Sequence, residues 1–240
     1  MAWLSQWCRR LKQAVGGQNC CALCHAPSGV QAVCAACSAD VDTLRLDAGR
    51  HCPLCGVPSA WGTPCGACQR KPPPQQYLRA SFRYAPPLSH LLYAYKFLGQ
   101  NHLYAVLAEW MLADIPAWPE GAAPDAVLAV PLSRQRLHRR GFNQSALLAA
   151  AVAGHLQLPL LPPSVLRRQH RAAQSTLPKA LRRRNVRGVF QVADPGAVKG
   201  RKLLLIDDVV TTGATLAELS QTLMRAGAAA VYCWVLARPD

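Results

Sequence analysis

The chain has 240 residues, 51% of them hydrophobic and 16% charged, with 27 Lys and Arg against 12 Asp and Glu for a formal charge of +15. That length allows one medium domain plus something small, and the composition excludes a disordered chain. The charge favours a polyanionic ligand, with a basic chain that binds no nucleic acid as the plainer reading, and no apolar run reaches the ~18 residues that span a membrane.

The N-terminus, MAWLSQWCRRLKQAVGG, places Trp3, Leu4, Trp7, Leu11 and Val15 on one helical face, and Arg9, Arg10 and Lys12 interrupt any signal-like apolar core. An amphipathic helix is expected over residues 1–19. It packs against the neighbouring domain or, as the alternative, lies on a membrane surface. The chain is expected to be cytoplasmic.

Residues 20–70 hold eight of the eleven cysteines as four CxxC pairs: Cys21/Cys24, Cys34/Cys37, Cys52/Cys55 and Cys65/Cys68. CALCHAPSGVQAVCAAC and CPLCGVPSAWGTPCGAC align at a constant offset that also matches Leu23 with Leu54, Pro27 with Pro58 and Ser28 with Ser59, so the segment is a duplication. Each copy supplies four thiolates, the donor set of a closed structural Zn²⁺ site, and two zinc ions are expected. A disulfide framework fits poorly without an export signal. Ligand pairing within each copy is the reading adopted, with a crossed pairing as the alternative. Cys20 abuts Cys21 as a possible competitor, and Cys233 belongs to a late, buried strand.

KPPPQQ, residues 71–76, reads as an extended linker into a domain over 77–240. There YLRASFRY alternates as a strand, residues 88–98 and 102–113 are helical, and AVLAV, residues 126–130, is a buried strand. A Pro-containing turn and a basic loop follow, then a helix over 142–156. Residues 160–196 show little apolar periodicity. Between 126 and 193 there is no Asp or Glu but twelve Lys and Arg, clustered in SRQRLHRRGFNQ, RRQHR and KALRRRNVR. A charge run is usually a solvated face, but one of a single sign over that length also suits a polyphosphate or a nucleic-acid backbone.

In LLLIDDVVTTGAT, residues 203–215, a strand buried on both faces ends on Asp207 and Asp208 and passes through a Thr/Gly loop into a helix carrying Leu216, Leu219 and Leu223. Ligands of open α/β sheets bind at the carboxyl ends of strands, and a helix N-terminus with hydroxyls suits an anion. Two carboxylates repel phosphate but accept hydrogen bonds from sugar hydroxyls. The pattern describes a ribose 5-phosphate site. The closing strand is AAVYCWVLA, and strand–helix alternation indicates a parallel sheet with crossover helices.

The thirteen-residue stretch resembles the phosphoribosyl-pyrophosphate (PRPP) signature of type I phosphoribosyltransferases. Together with VPLS…RRGFNQ, AQSTLPKALRRRNVRGVF and the N-terminal CxxC pairs, it resembles the ComF family associated with competence and DNA utilisation. The resemblance implies a five-stranded parallel core with a hood or flexible loop, behind a zinc ribbon. It assigns the ribose hydroxyls to Asp207 and Asp208, and the 5′-phosphate to Thr211, Thr212, Gly213, Ala214 and Thr215. Pyrophosphate falls to the loop at Val130, Pro131, Leu132 and Ser133 with Arg136, and possible further contacts at Arg139 and Arg140. Mg²⁺ would arrive with PRPP. The mobile loop would span Arg167 to Arg187, with Gln174, Arg183 and Asn185 as polar contacts.

Two functions follow. One is a DNA uptake and utilisation factor that binds PRPP and single-stranded DNA, the latter through Arg139, Arg140, Arg167, Arg168, Arg171, Arg182, Arg183 and Arg184, with Phe142, His138 or His170 as stacking groups. The alternative is an active phosphoribosyltransferase acting on a nucleobase-like acceptor, for which no general base beyond the two carboxylates stands out. A helicase or other DNA-processing protein is a possible partner of the ribbons.

Overall fold

The computed structural model describes residues 19–118, 122–168 and 187–239. Residues 1–18 of the expected N-terminal helix, and His170, Arg171, Gln174, Arg182, Arg183, Arg184 and Asn185, lie outside the described residues.

The ribbon segment contains β1 (Asn19–Cys20), β2 (Pro27–Gly29), α1 (Ala35–Asp42) and α2 (Gly66–Arg70). The main domain follows with β3 (Tyr77–Arg83), α3 (Leu88–Phe97), α4 (Tyr104–Leu112), β4 (Ala126–Ala129), α5 (Arg134–Arg140) and α6 (Gln144–Leu156). A short hairpin, β5 (Leu166–Arg168) and β6 (Phe190–Val192), precedes β7 (Lys202–Val209), α7 (Ala214–Arg225) and β8 (Ala230–Arg238).

Four strands form one parallel sheet in the order β3-β8-β7-β4. Side chains alternate across it. Leu204, Ile206, Tyr232 and Trp234 join one buried cluster with α3, α4 and α6, while Leu203, Leu205, Val231 and Val235 join another with α7 and the hairpin. All nine residues of β8 are buried, as a central parallel strand requires. Cys233 is in that core, as expected.

The five-stranded core implied by the resemblance is four-stranded among the described residues. At the fifth position Leu160 makes a single parallel bridge to Val127, through Val127 N–H to the Pro159 carbonyl and Leu161 N–H to the Val127 carbonyl. Pro159 and Pro163, at the positions whose N–H groups would face β4, have none to extend the ladder. A second difference is α5. The segment read as a basic loop is a helix, capped by Ser133 Oγ accepting from Arg136 N–H and ended by Gly141 at φ 77°.

The ribbon segment is not a bead on a string. Leu46 N–H donates to the Ser81 carbonyl, Arg83 N–H to that of Leu44, and Leu78 N–H to that of Pro53, so it covers the outer edge of β3. Residues 71–76, expected as a linker, are anchored: Gln75 Nε2 donates to the Leu54 carbonyl, and Gln76 exchanges two hydrogen bonds with Val231.

Candidate functional site

At its carboxyl end β7 delivers Asp207 and Asp208 beside the end of β4, where Val130 N–H donates to the Ile206 carbonyl. Asn143 Nδ2 ties the same turn to α6 through the Val130 carbonyl at 3.0 Å, while its Oδ1 accepts from Ser145 N–H as the cap of that helix. The capped first turn of α6 then aims Ser145 Oγ at Asp207 Oδ1, 2.7 Å away, and the N–H of Asp208 donates to the same oxygen at 2.9 Å. Lys96 Nζ, from the last turn of α3, lies 3.0 Å from Asp208 Oδ1. Among the described residues the hydrogen bonds and the ion pair to the two carboxylates fall on Oδ1.

Burial, with the neighbouring Asp208 charge, pushes the pKa of Asp207 up to about 7. Two adjacent carboxylates in a desolvated place do not both ionise freely, and Lys96 supplies the charge that favours ionisation. Sequence reading missed Lys96, Ser145, Tyr95 and Gln144. One signal was available: Lys96 is the only Lys or Arg between Arg83 and Arg134. Around the pair, Tyr95 Oη donates to the Gln144 carbonyl at 3.3 Å and its ring meets Phe142 at 5.4 Å. Phe142, expected as a stacking group for DNA, is thereby turned inward.

The Thr/Gly loop follows. Thr211 is exposed, Thr212, Gly213, Ala214 and Thr215 are half-buried, and Ala214 N–H reaches Thr212 Oγ1 at 3.4 Å. Gly213 adopts φ 72°, a left-handed turn that L side chains resist, and it opens α7 beside the acidic pair. Of the arginines, Arg134, Arg136, Arg139 and Arg167 are exposed. Arg140 is half-buried, donates to Gln144 Oε1 at 2.9 Å, and lies 4.8 Å over the Phe97 ring within electrostatic reach of both carboxylates. Arg168 donates to the Pro131 carbonyl and packs over Phe190. A cleft of about 870 Å³ is lined by Pro131, Leu132, Arg134, Leu161, Arg167 and Arg168, among others, and does not include the acidic pair.

The eight ribbon cysteines gather as two sets, Cys21, Cys24, Cys34 and Cys37, and Cys52, Cys55, Cys65 and Cys68, each with its sulfurs within 4.8 Å of one another. Pairing is within each repeat, and Cys20 lies outside both sets. The Cys24–Cys34 and Cys55–Cys65 sulfurs are 3.7 Å apart, close to the ~3.8 Å edge of a tetrahedron with metal–sulfur bonds of ~2.3 Å. Each set is therefore built to hold a metal ion. The duplication persists in detail. Cys21 and Cys52 N–H donate to the carbonyls of Ala26 and Val57, and the aligned His25 and Gly56 are both left-handed, at φ 61° and 74°. The aligned Val30 and Trp61 are 80% and 90% exposed.

A model of the phosphoribosyl transferase domain family matches residues 143–240. DNA utilization protein YhgH of Escherichia coli K12 is 38% identical over 224 residues, 91% of this chain and 96% of its own length. Competence protein F of Haemophilus influenzae is 33% identical over 178 residues, 72% of this chain and 78% of its own. Among solved structures, adenine phosphoribosyltransferase from Leishmania donovani overlaps 60% of this chain and 68% of its own, with a TM-score of 0.37 and 15% identity.

Proposed function

The chain belongs to the ComF family and carries a phosphoribosyl transferase domain, and on that premise we propose that it binds PRPP and single-stranded DNA as a factor in DNA uptake or utilisation. The observation that carries the PRPP half is the pair Asp207 and Asp208 at the strand end beside the Thr/Gly turn, their contacts among the described residues falling on Oδ1 alone. Asp207 and Asp208 accept from the ribose 2′- and 3′-hydroxyls. Thr211, Thr212, Gly213, Ala214 and Thr215 hold the 5′-phosphate. Leu132 and Ser133, with Arg136, face the pyrophosphate. Arg139 and Arg167 lie exposed for a nucleic-acid backbone. Arg140 sits between the two ligands.

Mg²⁺ fits this site as a companion of PRPP rather than as a resident ion, because Lys96 already neutralises Asp208 and Asp207 is only partly ionised near neutrality. It would supply charge neutralisation for the pyrophosphate. The chain's own residues orient the ribose and exclude water from its hydroxyls.

A pH dependence tests the reading. Only ionised Asp207 accepts from a hydroxyl on both oxygens, so affinity for Mg²⁺-PRPP should rise as pH passes through about 7. Equilibrium binding from about pH 5 to about pH 9 on the wild type and on Asp207→Asn separates this from the titration of PRPP itself. The rise should be steeper in the wild type, and identical profiles would remove Asp207 from the site.

In the ribbons the metal is zinc, on the chemistry of four thiolates per site. Metal analysis of the dialysed chain should give two zinc ions, and Cys24→Ser should give one. Equal zinc in both proteins would remove Cys24 from the ligand set.

A further inference from the structure

Beside the acidic pair the last two turns of α3 expose an aromatic face that no step above uses. Tyr93 and Phe97, four residues apart and so on one side of the helix, are 55% and 47% exposed, with ring centres 5.1 Å apart. Phe97 in turn lies under the Arg140 guanidinium at 4.8 Å. The three groups form a continuous row, Tyr93–Phe97–Arg140, with the two rings tilted at 44° to each other, running from solvent to the mouth of the site where Lys96, the residue before Phe97, meets Asp208.

An exposed aromatic face alone would suit a protein surface equally well. The cations beside it select the ligand. Arg136 and Arg139 project from α5 into solvent, and among the described residues neither they nor Arg140 lie within ion-pairing distance of a carboxylate. Arg140 Nε is enclosed and has no acceptor. Exposed aromatic rings beside cations that face solvent match a strand of bases and phosphates.

We propose that Tyr93 and Phe97 are a stacking platform for the bases of single-stranded nucleic acid, with Arg139 and Arg140 taking the adjoining phosphates, so that the strand ends at the acidic pair. This rests on the single-strand half of the function proposed above and replaces Phe142 as the aromatic partner. Because the strand would reach Asp208 past Lys96, the DNA and PRPP sites adjoin.

The test uses the full, zinc-loaded chain and two labelled probes of equal length, oligothymidylate and its abasic counterpart, which has the same phosphates without bases. By fluorescence polarisation the wild type should prefer the thymidylate by about tenfold, the scale of one base–aromatic stack. Tyr93→Ala/Phe97→Ala should lose that preference and keep the salt dependence, which counts phosphates. Tyr93→Ala alone should lower the preference while Mg²⁺-PRPP binding stays as in the wild type, which also shows that the chain is folded. Equal binding of the two probes by the wild type, or an undiminished preference in the double variant, overturns the platform and leaves single-strand binding standing. No binding of either probe by the wild type overturns the single-strand reading as well.

Discussion

The Asp207→Asn/Asp208→Asn variant should lose affinity for Mg²⁺-PRPP by about a hundredfold or more while keeping its ribbon metal content and its fold. Hydrogen bonds to a charged acceptor contribute ~1.5–3 kcal/mol each, and on the proposed reading each carboxylate accepts at least one from the ribose. Asparagine keeps the shape and an acceptor oxygen at Ser145 but not the charge. The fold should tolerate the change for a reason visible in the site. The Asp207 pKa rises from 3.8 to about 7 on folding, chiefly through burial. Between those values the folded state therefore holds a proton that the unfolded state has released. Stability contributed by this group is present below about pH 4 and is lost as pH rises through about 7. An asparagine in place of Asp207 would carry no such loss, which offsets the charge left unpaired on Lys96. Binding titrations and thermal unfolding of the two proteins, side by side, check both statements. Affinity within about threefold of wild type would mean that these carboxylates do not touch the ligand.

Arg79→Ala should cost ~3–5 kcal/mol of stability, the penalty for removing one partner of a buried ion pair. Arg79 is 8% exposed in the edge strand β3, and it donates to both Asp114 oxygens, at 3.0 and 2.7 Å, and to the Leu46 carbonyl at 2.6 Å. Three parts of the chain meet at that guanidinium: the sheet edge, the end of α4, and the segment between the two ribbon repeats. Without it Asp114 remains largely buried and uncompensated, and the Leu46 carbonyl loses its donor at the seam. For a domain of this size the melting temperature should fall on the order of 10 °C. Arg79→Met/Asp114→Leu should recover part of that loss, since apolar replacement of both partners removes the stranded charge. A fall of under about 1 kcal/mol for Arg79→Ala would show that the ribbon seam contributes little to folding.

How far the sequence disclosed this molecule depended on whether each feature is local. The cysteine sets were legible because thiolate ligation demands fixed spacing, while the choice between pairing within each repeat and crossed pairing came only from the placed sulfurs. Strand β7 and its two carboxylates were legible because a strand buried on both faces reads as an unbroken apolar run that ends in charge. Helix α5 was not legible as a helix. Five of its seven residues are Arg or His, which hides any apolar face, although Ser133 and Gly141 already marked its two ends. That no full fifth strand forms among the described residues was foreshadowed by Pro159 and Pro163. What stayed hidden were contacts between residues distant in sequence. Lys96 meets Asp208 across the site and Ser145 meets Asp207 from another helix. Phe97 stacks on Arg140, and Gln76 pairs with Val231. No local periodicity encodes such pairs; they exist only once the crossover helices have packed on the sheet.

The most direct measurement is a calorimetric titration of Mg²⁺-PRPP into the metal-loaded wild-type chain, with ribose 5-phosphate and pyrophosphate titrated separately. Saturable binding of one PRPP per chain, tighter than either fragment, is the expected result, because the acidic pair and the arginine side of the turn then act on one ligand. A folded, metal-loaded chain that takes up no PRPP, or takes up pyrophosphate equally well, would contradict a ribose-phosphate site at Asp207 and Asp208.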